Sequence, residues 1–498
     1  MTEIERNQGT EKTGRIKKGV KYIILSLLTL LILISLTFEA PKKIVILFVI
    51  ILAAFTALPK RYRKWFWLTA GSVALILIIW IFLPENNKDW RPYTFDDEIA
   101  LHEEKYAIPD EENAAVIYHE LMQGYDPKKL RLTFLHPKVQ KIVLSGPWLS
   151  TNYPELVQWL QGHENTISVL PQACMIKTCR FRSNFKITLT DKLQIDRYTA
   201  LKSWAVLLLL SGNNDIAEGR LDHGLLKYTY ALEIANHLYQ QKRITDFLIC
   251  FGIEDLAFTP ISRLLIEERL DDKQLGIVSD SLINLENTWS SDFSQCLEYN
   301  KLFIKNAFCS LVFEKNSNNH VRYSRNPEDA IWGRFRLKKL KETYWQKISM
   351  KAYTILAWFV LPDTPQKASE IIDNIYDEYY AIAEPDFAWG KESIGRLYSL
   401  EFNCRFLLWA ISDRICGRFD GFYDIYLKRL TQRRGLKLLI AIKQYKNEHG
   451  TWPDSLEEIK TAAPMEAFID PATGKQLEYE NHGRYFSLYG ETISIWPR

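Results

Sequence analysis

The chain has 498 residues, of which 47% are hydrophobic and 25% charged, a mixture typical of packed globular protein that excludes a disordered or low-complexity chain. Residues 1–84 hold 12 Lys+Arg against 4 Asp+Glu, whereas the remaining 414 residues hold 51 against 56. The larger part is therefore mildly acidic, which argues against nucleic acid as a partner, because phosphate recognition needs a basic face.

Three apolar segments near the N-terminus predict membrane-spanning helices at 20–38, 44–58 and 65–83. The first and third have 19 residues each, about 28 Å of helix, which matches the hydrocarbon core of a bilayer. The second is shorter, about 22 Å, and spans if the lysines beside it reach the interface. No small-residue cleavage site follows the first segment, so we interpret it as a retained helix and not as a signal peptide.

Basic clusters predict the orientation of these helices. One cluster, at 15–21, precedes the first span, and another, at 60–64, precedes the third. The positive-inside rule places both clusters in the cytoplasm, which three spans allow, while Lys42 and Lys43 argue weakly in the opposite direction. We therefore predict a cytoplasmic N-terminus at 1–19, a membrane region at 20–84, and an extracytoplasmic body on the inner (cytoplasmic) membrane.

The body is predicted to be mainly α-helical. Residues 85–108 are interpreted as a polar stalk, and 109–416 as an all-α domain of helical hairpins. Early helices are expected after an Asp110 cap and, near Pro154, after an Asn152 cap. Further helices are predicted at 245–267, 272–288, 293–313, 333–360, 365–383 and 391–415, with a polar loop at 314–327.

The clearest hairpin is predicted at 191–243. Two apolar stripes at helical spacing flank the sequence Gly212-Asn213-Asn214, which we expect to form the turn between the helices. The segment resembles a tetratricopeptide-type hairpin in its small residues and its Tyr and Leu spacing. It does not recur at a 34-residue period.

A different pattern begins near residue 422. A long helix is predicted at 423–448, ended by Gly450, followed by a short helix that begins at 452–456 and a turn at 470–474. Strands are predicted at 475–480, 484–489 and 492–496. Residues 422–498 thus form a small α+β module with an antiparallel sheet.

The segments AIKQYKNEHGTWPDSLEEI and DPATGKQLEYENHGRYFSLYG resemble the soluble part of type II secretion pseudopilins over about 436–490. The matching residues are Tyr445, Gly450, Pro453, Leu456, Asp470, Pro471, Gly474 and Tyr479. No prepilin-type cleavage motif precedes the helix, so filament assembly is not implied. The whole chain also resembles a group of bacterial membrane-anchored proteins with a helical middle and a pseudopilin-like end, and that resemblance implies architecture but no activity.

Few side chains in the sequence suggest a catalytic, metal-binding or disulfide site. None of the seven cysteines has CxxC spacing, and Cys174 and Cys179 are the candidate disulfide, with buried free thiols as the alternative. His223 and His237 fall near one helical face, but hydrogen-bonded or surface histidines are the preferred interpretation. Acidic clusters at 96–98, 110–112 and 271–272 are interpreted as helix caps and solvated faces. We expect no metal and no cofactor.

A basic helix at 334–341 is a candidate contact with anionic lipid, the alternative being a solvated face above a buried stripe. Its cationic residues are Arg334, Arg336, Lys338, Lys339 and Lys341.

Our leading functional hypothesis is a membrane-anchored extracytoplasmic scaffold or protein-interaction protein of the bacterial cell envelope. Its expected partners are the lipid bilayer and another envelope protein. The alternatives are an envelope hydrolase whose carboxylates the fold brings together, and a glycan-binding protein with exposed aromatic rings. A deep pocket with converging acidic groups would favour the enzyme, and a broad groove would favour the binding protein.

Overall fold

The computed structural model describes residues 95–182, 192–268, 270–282, 289–315, 321–323, 419–483, 485–490 and 494–495, with scattered residues between 369 and 380. The chain divides into two compact units, 1–90 and 91–498, and every described residue belongs to the second. The predicted membrane segments and the basic helix at 334–341 lie outside the described residues, as do the predicted helices at 333–360 and 391–415 and most of 365–383. In the described part of the chain, no helix combines the length and apolarity that a bilayer crossing requires.

The described part of the second unit is mainly helical, as predicted. Its helices are α1 (Asp96–Lys105), α2 (Ala114–Gln123), α3 (Pro137–Ser145), α4 (Pro154–Gln161), α5 (Glu164–Met175), α6 (Lys192–Ala217), α7 (Leu221–Tyr239), α8 (Ile244–Glu267), α9 (Asp272–Asp280), α10 (Trp289–Val312) and α11 (Phe419–His449). The strands are β1 (Phe313–Lys315), β2 (Val321–Tyr323), β3 (Glu478–Asn481), β4 (Phe486–Tyr489) and β5 (Ser494–Ile495).

The described part of the predicted stalk is folded. It contains α1, and Phe95, just before that helix, is buried in a cluster with Tyr299 and Leu302 of α10. Burying a phenylalanine ring stabilises this contact by about 1.5–3 kcal/mol, which a solvated stalk would not gain. Residues from 95 onward therefore belong to the helical body.

Two predicted helix caps are wrong: the cap of α2 was predicted three residues too early, and that of α4 one residue too early. Asp110 begins a short 3-10 turn, and the cap of α2 is Asn113, whose side chain accepts the Ala115 N–H at 3.1 Å. The asparagine also donates to the Arg180 carbonyl at 3.0 Å, a tertiary contact that favours this position. Pro154 does open α4, but Tyr153 precedes it in the cap position.

The α6–α7 hairpin exists, yet its turn lies elsewhere than predicted. α6 continues through Gly212-Asn213-Asn214 to Ala217, and the chain reverses at Gly219, which has φ +80°. Gly212 instead allows close approach to α7, and the buried Asn213 accepts the hydroxyl of Tyr228 and donates to the Val143 carbonyl at 2.7 Å. Sequence composition predicted a turn because Gly and Asn are typical of turns, but here they serve a helix crossing.

The core of the body is built on α7, which packs against both α6 and α8. Its inward residues are almost fully buried: Leu225, Tyr228, Ala231, Ile234, Ala235 and Leu238. The predicted helix at 245–267 is confirmed as α8, whereas α9 covers only Asp272–Asp280 of the predicted 272–288. The expected loop at 314–327 contains an antiparallel pair, β1 and β2, with Glu314 opposite Arg322.

The C-terminal module follows the predicted order. α11 ends at His449, just before Gly450, which has φ +79°, and the short helix expected to begin at 452–456 is a 3-10 helix at Leu456–Ile459. Gly474 has φ +69° and its N–H donates to the Asp470 carbonyl at 2.8 Å, which confirms the turn at 470–474. β3, β4 and β5 form one antiparallel sheet in that order, so the small sheet near the C-terminus is confirmed. α11 packs against α8 and α9 of the body.

Candidate functional site

One recess among the described residues is a cleft where α11 meets the body. It has a volume of about 810 Å³ and is open to solvent. The cleft is lined by Leu221, Ile266, Glu267, Glu268, Leu270, Asp271, Gln274, Lys443, Lys446, Asn447 and Gly450. These residues come from the start of α7, the end of α8, the start of α9 and the end of α11, so four helix termini meet around one cavity.

Hydrogen bonds hold these helix ends together. Asp271 and Gln274 form a reciprocal capping box at the start of α9, as expected for an acidic residue at that position. Gln274 also donates to Asp222 at 2.6 Å, which ties α9 to the first turn of α7. Across the cleft, the Asn447 amide donates to the Leu270 carbonyl at 2.6 Å. The cleft walls are therefore fixed relative to one another by side chains that also line it.

One wall of the cleft is basic. Lys443 is only 4% exposed, and the Lys446 ammonium lies 3.6 Å from the centroid of the Trp452 ring. The ring face attracts the cation and restricts the lysine side chain to this wall. Burial lowers the pKa of Lys446 from its ordinary value of 10.5.

The cleft is also lined by acidic residues. Glu267 and Glu268 end α8, and Asp271 caps α9; all three are exposed. Glu267 accepts two hydrogen bonds of 2.9 Å from the Arg263 guanidinium, an exposed pair. The cleft is also lined by the buried Leu270 and the half-buried Ile266 and Leu221. It thus combines carboxylates, ammonium groups and apolar side chains.

Five buried acidic side chains elsewhere in the body are paired with cations. The pairs are Asp215–Lys227 at 2.5 Å, Glu233–Lys177 at 3.1 Å, Asp246–Arg243 at 2.5 Å, Glu254–Arg433 at 3.0 Å and Asp292–Lys242 at 2.7 Å. Removing one partner of such a pair leaves a buried charge uncompensated, so each pair holds together the two segments or turns that carry it. The Glu254–Arg433 pair joins α8 to α11 below the cleft.

Cys174 and Cys179, the candidate disulfide, are both buried free thiols in the structure. The Cys174 sulfur faces the Tyr118 hydroxyl at 3.9 Å and the Tyr230 carbonyl at 3.4 Å. Burial raises the pKa of Cys174 to about 12 and also raises that of Cys179. A thiol with a raised pKa is mostly protonated at neutral pH and is a poor nucleophile. This agrees with the alternative interpretation of the two cysteines as small buried core residues.

The two histidines that share a helical face do not meet. His223 is exposed, while His237 is fully buried. The His237 Nε2–H donates to the Ile176 carbonyl at 2.8 Å, so its Nδ1 accepts the Tyr118 hydroxyl at 2.9 Å. Surface or hydrogen-bonded histidines were the preferred interpretation, and His223 is on the surface while His237 is hydrogen-bonded.

The acidic clusters predicted as caps lie apart from one another. Residues 96–98 form the first turn of α1, 110–112 form a 3-10 turn, and Asp271 caps α9. Among the described residues, no group of three His, Cys, Asp or Glu side chains is placed to hold a metal ion. The basic residues of 334–341 lie outside the described residues, and their lipid contact stays a prediction.

Sequence reasoning missed the cleft. Its residues are spread over more than 220 positions in the chain, and no single motif contains them. The one usable signal was the predicted end of the long helix at Gly450, which places Lys443, Lys446 and Asn447 in the last turns. Comparison with known proteins adds no further guide, since no family model, curated protein or solved structure matches this chain.

Proposed function

We propose that this chain is a membrane-anchored scaffold whose folded body binds an extended segment of another protein in the cleft between α11 and the helical hairpins. The observation that carries the proposal is the composition of that cleft. Seven of its eleven lining residues are polar or charged, and the cavity is open to solvent. Pockets for small molecules are mostly apolar and enclosing, so this cleft suits a larger ligand that remains partly solvated.

A polypeptide segment matches the cleft chemically. Its side chains supply both charge signs, to match Glu267, Glu268 and Asp271 as well as Lys443 and Lys446. Its apolar side chains would cover Ile266 and Leu270. Charged groups of this kind chiefly set the orientation and specificity of a bound segment, and the apolar side chains supply the burial.

The anchor is the second element of the proposal. The apolar segments at 20–38, 44–58 and 65–83 and the basic clusters beside them support insertion in the inner membrane with the body on the extracytoplasmic side. The cleft would then face partners in the cell envelope, within reach of the membrane surface.

The C-terminal module has a supporting role in this proposal. Its likeness to pseudopilins rests on the helix ending at Gly450, on Pro453 and on the turn at 470–474. The Tyr479 hydroxyl donates to the Pro453 carbonyl at 2.9 Å, which joins β3 to the segment after α11. In our proposal the module fixes the end of α11, and therefore the basic wall of the cleft, and does not assemble into a filament.

Charge reversal tests the proposal. Membranes containing the full-length chain are solubilised in mild detergent and resolved by native electrophoresis, with an antibody against the chain. We expect a complex larger than the free chain, and we expect Glu268→Lys and Lys446→Glu each to release the free chain, because like charges would then face each other across the interface.

Glu448→Lys is the matched control. Glu448 is exposed on the same helix as Lys446 but does not line the cleft. The control should leave the complex intact. If all four proteins migrate alike, or if the control disrupts the complex as strongly as Glu268→Lys, the cleft is not the binding surface.

A further inference from the structure

A cluster of three arginines lies buried away from the cleft. Arg180 follows α5, Arg197 lies in the second turn of α6, and Arg243 immediately precedes α8. Two carboxylates accompany them, Glu103 and Asp246. Arg197 shares Asp246 with Arg243, so among the described residues it has no carboxylate of its own.

Two of the arginines have their own carboxylates. An Nη nitrogen of Arg180 lies 3.3 Å from Glu103, and the Arg243 Nε lies 2.5 Å from Asp246 Oδ2. Asp246 is fully buried and also accepts the Tyr198 hydroxyl at 3.2 Å on the same oxygen. The acceptor capacity of this carboxylate is therefore largely used by groups other than Arg197.

Arg197 is the unsatisfied member. It is 9% exposed, and its closest approach to Asp246 is 3.9 Å, beyond hydrogen-bond distance. Its Nε and Nη2 have no hydrogen-bond acceptor among the described residues. The guanidinium instead lies over two rings, 4.7 Å from the Phe181 centroid and 5.1 Å from that of Tyr198. Burial of guanidinium N–H donors without acceptors is costly, so this position calls for an anion.

We propose that Arg197, together with Arg180 and Arg243, binds a small oxyanion of the phosphate or sulfate type. The Nε and Nη2 of a guanidinium lie side by side and match two oxygens of such an ion. Because the arginines are largely buried, the site suits a free small ion better than the headgroup of a membrane lipid.

Thermal unfolding of the full-length protein in detergent tests the site. Phosphate should raise the Tm in a saturable way beyond the effect of chloride at equal ionic strength, because an ion bound only by the folded state stabilises it. Arg197→Met, which keeps the bulk of the side chain but not its charge, should abolish the rise. Equilibrium dialysis with radiolabelled phosphate should give one bound ion per chain, and the substitution should weaken that binding by about tenfold or more.

Two further variants keep the test decisive. Arg263→Met removes an exposed arginine outside the cluster and should retain the full phosphate effect. Arg197→Lys keeps the positive charge but loses the paired N–H donors of the guanidinium, so it should also weaken phosphate binding. This variant serves as the test if Arg197→Met does not fold. A wild-type protein whose Tm is insensitive to phosphate and sulfate overturns the proposal, as does an Arg197 variant that binds phosphate as tightly as the wild type.

Discussion

His237 shows how a single buried side chain couples the body to pH. Its ring is neutral, since Nε2 donates to a carbonyl and Nδ1 accepts a hydroxyl. Burial lowers its pKa below the ordinary value of 6.5, against the smaller opposing effect of Glu233, whose carboxylate lies 3.5 Å away. Just below pH 6.5 the unfolded chain therefore binds a proton that the folded chain does not, and the free energy of unfolding falls as pH falls.

We expect the His237→Gln variant to lose this pH dependence. The wild type should lose up to about 1.4 kcal/mol per pH unit from this histidine below pH 6.5. The variant should be less stable at pH 7.5 by about 1–3 kcal/mol, because the Tyr118 hydroxyl loses its acceptor, yet its stability should vary less between pH 7.5 and 5. Denaturant unfolding at several pH values measures both effects. His223→Gln is the control at an exposed position, and equal pH slopes in all three proteins would contradict this account.

Individual residues were only partly predictable from the sequence. The apolar spacing identified core positions such as Trp204 and Tyr228, which are buried. It could not place Asn213, because a polar residue enters a core only when a tertiary partner satisfies it, and here that partner is Tyr228. The free state of Cys174 likewise depends on the tyrosine and carbonyl that surround its sulfur.

At the scale of elements, the close crossing of α6 and α7 depends on Gly212 and Gly224, because glycine has no side chain to keep the helices apart. A Cβ at Gly224 would lie 2.8 Å from the Gly212 carbonyl oxygen and would also meet the Ile216 side chain. The Gly212 carbonyl belongs to the backbone of α6 and cannot move away as a flexible side chain could. A methyl group at position 224 would therefore force α6 and α7 apart. The tight crossing explains why Gly and Asn occur inside a helix, where composition alone favoured a turn.

We expect Gly224→Ala to destabilise the protein by about 1–3 kcal/mol, the usual cost of overpacking a core. Gly252→Ala is the matched control, since Gly252 lies inside α8 with nothing within 4 Å of the added methyl group. That substitution should be neutral or stabilise by about 0.5–1 kcal/mol through helix propensity. Thermal unfolding of both variants decides the matter. Two variants with the same Tm would show that the crossing is not tight.

At the scale of the whole molecule, sequence patterns predicted the mainly helical body and the small antiparallel sheet. They did not predict the cleft, because helix periodicity specifies which face of a helix is buried but not which distant helix covers it. The helix cap at Asp271 and the helix end at Gly450 could each be predicted from the neighbouring sequence. That Asn447 joins them across the cleft follows only from the packing of α11 against α9.

The orientation in the membrane is a prediction at the same scale. Alkaline phosphatase fused after Arg498 should be active in cells, and a fluorescent protein that folds only in the cytoplasm should be dark at the same position. The reason is the pair of basic clusters, which three spans place together in the cytoplasm. The opposite pattern of activities would place the body, and with it the cleft, in the cytoplasm.

The most direct test of a protein-binding cleft is photocrosslinking from one of its acidic residues. A photoreactive amino acid replaces Glu268 in the full-length chain in living cells, and mass spectrometry identifies the residues joined to it. We predict crosslinks to one short contiguous segment of a single polypeptide, lost when Lys446→Glu is added and absent when the probe replaces Glu448. Crosslinks that are missing at position 268, or that are as abundant and as varied from position 448, would contradict the account.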